Sequence, residues 1–86
     1  MVTNAFVLIE VHRDEADEVK TGIRQIEGVR SADKVTPPYD LIAMIEGENL
    51  TSISELVTDK ICHVEGITRT VICPVIDVEA IGQNVG

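Results

Sequence analysis

The sequence predicts an α+β protein: a ferredoxin-like βαββαβ sandwich of the dimeric α+β barrel type, with a four-stranded antiparallel sheet and two helices on one face. Three observations predict it. Apolar periodicity gives the order strand, helix, strand, strand, helix, strand. The boundary Ile26-Glu27-Gly28-Val29 returns as Val64-Glu65-Gly66-Ile67, so each half carries the same signal for leaving a helix and entering a strand. Between the halves stands Pro37-Pro38-Tyr39-Asp40. A Pro-Pro pair supplies no backbone donors and fits neither a helix nor a central strand, so the chain turns there. Two βαβ-like halves joined at such a turn make this sandwich, and right-handed crossovers put the first and third strands in its centre.

The first strand covers residues 5–12, with Ala5, Val7, Ile9 and Val11 on one side and Phe6, Leu8, Glu10 and His12 on the other. Both sides begin apolar, as in a strand covered twice. Asp14 is the expected cap of the first helix, and Glu15, Asp17 and Glu18 suit the positive end of its dipole. Ala16, Val19, Ile23 and Ile26 recur at helical spacing, and Gly28 ends the helix as a C′ glycine. Residues 29–36 form a more polar strand, broken up by Ser31, Asp33 and Lys34, which fits an edge. After the turn, Leu41, Ala43 and Ile45 alternate with Ile42, Met44 and Glu46 in a central strand closed by Gly47.

Asn49 is the expected cap of the second helix, with Ser52 as the alternative because Ser52 and Glu55 have capping-box spacing. Leu50, Ile53, Leu56, Val57, Ile61 and Val64 make its buried stripe, and Gly66 ends it. Residues 67–78 form the last strand, which Pro74 confines to an edge or a bulge. One domain therefore occupies residues 1–78, followed by a C-terminal tail at 79–86.

Composition narrows the function. An apolar fraction of 44% with one Phe, one Tyr and no Trp gives an aliphatic core. A net charge of −8 with scattered basic residues argues against direct binding to nucleic acid or an anionic membrane. No apolar run suffices to span a bilayer and no signal-peptide pattern opens the chain, so a cytoplasmic location is expected. Cys62 and Cys73 make no metal-ligand spacing with His12 or His63 and are expected to be buried, reduced thiols. No cofactor, no metal site and no catalytic residues are expected: no nucleophile stands beside a base, and no phosphate loop or carboxylate pair emerges.

The two central strands read as apolar on both faces, yet two helices cover only one. A second copy packed sheet against sheet is the economical cover, and it adds core to a domain of 86 residues.

Ala5-Phe6-Val7-Leu8-Ile9, the repeated Glu-Gly boundary, Tyr39-Asp40-Leu41 after the central turn, and Thr68-Arg69-Thr70 occur in the order seen in one family. From about Ala5 to Ile76 the chain resembles the ligand-sensing (RAM) domain of the Lrp/AsnC regulators. Met1 is followed almost at once by the first strand, so the chain resembles the stand-alone version that lacks the helix-turn-helix. The resemblance implies sheet-to-sheet homodimers, often assembled into rings. It also implies amino-acid effectors in clefts between dimers, a role in transcriptional or metabolic regulation, and a full-length family regulator as a further partner. The family commonly has glycine where this chain has Pro37, so a ligand carboxylate here draws on the N–H groups of Tyr39 and Asp40.

An amino-acid-like effector needs an anion for its ammonium and donors for its carboxylate. Pro38, Tyr39 and Asp40 on the turn and Thr68 and Thr70 on the last strand are the candidate ligand-binding residues, Asp40 as the anion and the threonines as hydroxyl donors. Each has a plainer reading: Asp40 stabilises its turn, Tyr39 is a rim aromatic, and the threonines are ordinary strand residues. His12 reads as a solvated or ion-paired residue, and the acidic run from Asp14 to Glu18 reads as a helix start rather than a cation site. Two further functions stay open: a purely structural assembly or partner-binding protein, and a small dimeric α+β-barrel enzyme.

Overall fold

The computed structural model describes residues 2–76. The expected strand end at 77–78 and the tail at 79–86 lie outside the described residues. The elements run β1 Thr3–Val11, α1 Ala16–Arg24, β2 Val29–Lys34, β3 Leu41–Gly47, α2 Leu50–Asp59, a 3₁₀ turn Ile61–His63, and β4 Ile67–Pro74. The strands form one antiparallel sheet in the order β2-β3-β1-β4, the ferredoxin-like arrangement, with the polar β2 and the Pro-terminated β4 at its edges.

Alternation along the strands fixes where the core lies. Ala5, Val7 and Ile9 of β1 and Leu41, Ala43 and Ile45 of β3 are fully buried, and they pack with Val19 and Ile23 of α1 and with Ile53, Val57 and Ile61. No polar or charged residue is buried among the described residues. The alternate residues face away from the helices. Phe6 is 37% exposed, Leu8, Ile42, Met44 and Val71 are half-buried, and Cys73 is exposed. The register Phe6↔Met44, Phe6↔Cys73, Leu8↔Ile42 and Leu8↔Val71 gathers these side chains into one apolar patch, because directly opposed residues share a face.

Helix boundaries depart from the expected ones for local reasons. Asp14 does not cap α1. The Glu15 N–H closes a turn onto the His12 carbonyl at 3.2 Å, which places Asp14 in left-handed backbone at φ 65°, and Glu15 occupies the cap position without a side-chain cap bond. Asn49 does cap α2, its Oδ1 accepting from the Ser52 N–H at 2.8 Å. Gly28 and Gly66 are not C′ residues, because α1 has ended by Arg24 and α2 by Asp59. Each glycine is instead the third residue of a β-turn leading into a strand, closed by Val29 N–H to Ile26 O and by Ile67 N–H to Val64 O. That position takes positive φ, and the two glycines have φ 99° and 104°.

Because α2 is shorter than expected, Ile61 reaches the core from the 3₁₀ turn, Val64 packs on the core from beyond that turn, and Leu50 remains 47% exposed. The cysteines are also not core residues. Cys62 projects from the 3₁₀ turn and Cys73 stands opposite Phe6 on the face without helices, so both are free and exposed.

Two glycine substitutions separate backbone geometry from packing. In Gly66→Ala the new methyl lies 2.9 Å from Val19 Cγ2 and 3.1 Å from Glu15 Oε2 on a backbone at φ 104°. Its stability in urea falls by about 1–3 kcal/mol. In Gly22→Ala, inside α1, the methyl meets Val64 Cγ1 at 3.4 Å. Here stability rises by about 0.5–1 kcal/mol in the same measurement.

Candidate functional site

The turn between β2 and β3 delivers Asp40 to the point where three segments meet. After the cis Pro37–Pro38 bond, the Asp40 N–H donates to Ile9 O at 2.9 Å and the Asp40 carbonyl accepts from the Val35 N–H at 3.0 Å. Its Oδ2 accepts from the Val11 N–H at 2.9 Å. The β1–β3 register runs only to Ile9↔Leu41, so Val11 has no strand partner on that side and the carboxylate takes its place. Asp40 thus locks the β2–β3 connection to the end of β1. Tyr39 beside it is half-buried, and Pro37 and Pro38 are exposed.

Thr68 and Thr70 lie at the same end of the sheet. Leu41, Ile9 and Thr70 form one cross-strand row, which sets β3 and β4 two strand spacings apart there, roughly 10 Å. Strict alternation would put both threonines on one face. A register shift intervenes: Glu10 pairs with Arg69 and Val11 with Ile67, so Thr68 is the extra residue of a β-bulge. The Thr68 hydroxyl lies 3.1 Å from Glu10 O and 3.2 Å from Glu10 Oε1. The Thr70 hydroxyl lies 3.7 Å from Cys62 Sγ.

An open depression of about 310 Å³ is lined by Cys62, Ile67, Thr68, Arg69 and Thr70. Pro38, Tyr39 and Asp40 are not part of its lining. One chain therefore gathers the five candidate residues at one sheet end without enclosing them in one cavity. Cys62 is the residue that sequence reasoning missed; its place on the depression follows from the early end of α2, for which the sequence offers no breaker before Gly66.

The His12 side chain is exposed, and the residue's backbone N–H donates to Gly66 O at 2.8 Å. His63 is exposed on the 3₁₀ turn rather than on a helix. Asp17 of the acidic run pairs with Lys34 at 3.3 Å. Among the described residues no three His, Cys, Asp or Glu side chains are grouped to hold a metal ion, and no helix is long and apolar enough to cross a membrane.

A four-stranded antiparallel sheet with two helices on one face, one open apolar face and polar groups gathered at one sheet end is a ferredoxin-like α+β sandwich. The chain belongs to the Lrp/AsnC ligand-binding domain family, whose family model matches residues 4–82. Comparison with curated proteins yields no match. Among solved structures it is similar to TTHA0845 from Thermus thermophilus, at 28% identity over 87% of this chain and 94% of that one, with a TM-score of 0.81. Escherichia coli AsnC shares the fold at 14% identity and a TM-score of 0.81, over 87% of this chain and 51% of that one. The transcriptional regulator NMB0573 of Neisseria meningitidis, solved as a complex with L-Met, shares it at 18% identity and a TM-score of 0.77, over 87% of this chain and 50% of that one. This chain thus spans about half the length of each of the last two.

The geometry assigns Asp40 a structural task that exists without any ligand. Asp40→Ala leaves the part-buried Val11 N–H without its acceptor and lowers stability by about 1–2 kcal/mol. Asp40→Asn keeps an oxygen in place and loses less than half of that. Urea melts of both variants in ligand-free buffer check the ordering.

Proposed function

We propose that this chain is a non-catalytic, oligomeric sensing module that takes a small amino-acid-like effector where copies of it meet. The observation that carries the reading is the family match over residues 4–82. The L-Met complex of the NMB0573 regulator supplies the ligand class.

Three physical features support it. The patch around Phe6, Leu8, Ile42, Met44 and Val71 gains about 25 cal/mol per Å² when covered, and a second copy packed sheet on sheet covers it. The polar groups at the sheet end belong to separate segments and share no enclosed cavity, which leaves room for a neighbouring copy to close a crevice there. Partners for a zwitterion follow from the same end of the sheet: the Asp40 oxygen not engaged by Val11 takes the ammonium, and the Tyr39 N–H and the Thr70 hydroxyl address the carboxylate. The Thr68 hydroxyl already donates to Glu10 and the Asp40 N–H to Ile9 O, so those two line the crevice without supplying donors. Pro38 shapes the wall of that crevice.

A second reading has its own observation. Asp40 Oδ2 is already committed to Val11, and the prolines offer no donors, which suits an assembly protein whose turn serves only structure. Calorimetric titration with the common amino acids separates the two. The sensing reading expects heat with at least one of them and about a tenfold loss of affinity in Thr70→Val, with the melting temperature kept. Absence of heat with every amino acid at millimolar concentration removes the effector and leaves the assembly reading.

The association itself is tested separately. Phe6→Glu sets two charges into the covered patch, so sedimentation gives a dimer or larger for the parent chain and a monomer for the variant.

A further inference from the structure

The two edges of the sheet are protected differently. β4 carries the bulge at Thr68 near its start and Pro74 at its end, and both features disfavour an added strand. β2 has a register shift between Val29 and Ser31, but the rest of its edge has regular pairing behind it. Charge on Arg30, Asp33 and Lys34 repels some partners, yet backbone acceptors remain where a strand would dock. One of them is occupied. From the last turn of α1, Arg24 reaches over β2, and its Nε and Nη2 donate to the Ala32 carbonyl at 3.0 and 2.7 Å. The same Nη2 lies 3.5 Å from Asp33 Oδ1, and Lys34 Nζ adds a second strap to Asp17 of α1 at 3.3 Å.

We propose that Arg24 closes the β2 edge against pairing with the β2 edge of a second copy, and so leaves the open sheet face as the surface through which copies meet. Ala32 sits in the middle of β2, and it is the one residue of that strand that is fully buried. An incoming strand must displace the forked, charge-assisted donor from the Ala32 carbonyl and separate Arg24 from Asp33 before it gains a ladder bond. The inference is independent of any effector, and failure to bind amino acids leaves it standing.

The test is Arg24→Met, which keeps a long, helix-compatible side chain and removes every donor. Light scattering over a concentration series is read together with amide hydrogen exchange. The variant is expected to grow at least about twofold in mean mass beyond the parent oligomer, with β2 amides becoming protected as the added strand pairs. A folded variant that keeps the parent mass at every concentration overturns the proposal. Growth without new protection in β2 also overturns it, because association then uses another surface. Should Arg24→Met fail to fold, Arg24→Lys decides by the same two readouts: a single compact ammonium gives smaller but measurable growth if the fork matters, and parental mass refutes it.

Discussion

Two helices roof one face of a four-stranded sheet and leave the other without a cover of its own. Everything else in the molecule answers to that asymmetry. On the roofed side, small residues such as Ala5, Ala32 and Ala43 let the helices approach, and Ile9, Ile23, Ile45 and Ile53 fill the space with no exposed area. On the other side the strands carry comparable aliphatic bulk around Phe6 and Leu8, which no element among the described residues covers. A chain this small buries a modest fraction of its surface alone, so the open side is where additional stability is available.

Asp40 shows how one residue serves topology before chemistry. Its backbone extends the β3 pairing one step past Leu41, its carbonyl anchors the start of the turn at Val35, and its carboxylate replaces the strand partner that Val11 lacks. A rigidly held carboxylate at a sheet end is also a good place to present a second, unengaged oxygen. The structural role of Asp40 therefore occupies Oδ2 and leaves the other oxygen outside that contact.

The sequence made the architecture legible because each element had a period and the connections between elements carried turn or cap residues such as Gly28, Pro37, Pro38, Asn49 and Gly66. The strand order, the edge positions of β2 and β4, the Asn49 cap and the relation between the halves all follow from that. What it obscured were features set by exceptions to regularity. The bulge at Thr68 breaks a two-residue alternation that the string Thr-Arg-Thr suggests is intact. α2 stops at Asp59 with no glycine or proline to announce it, which moves Cys62 from an inferred interior to the rim of a depression. The glycines at 28 and 66 were recognisable as boundary residues, but their task is to shape turns rather than to cap helices. The Arg24 contact has no local signature, since it depends on where α1 crosses β2.

Those paired turns also bind the halves to each other. The Gly28 carbonyl accepts the N–H of Glu46, and the Gly66 carbonyl accepts the N–H of His12, so each half completes a strand end belonging to the other. The exchange between the two halves is reciprocal. Neither βαβ segment can satisfy its own backbone in isolation, and a chain divided at the prolines would yield two fragments that acquire order only by recombining.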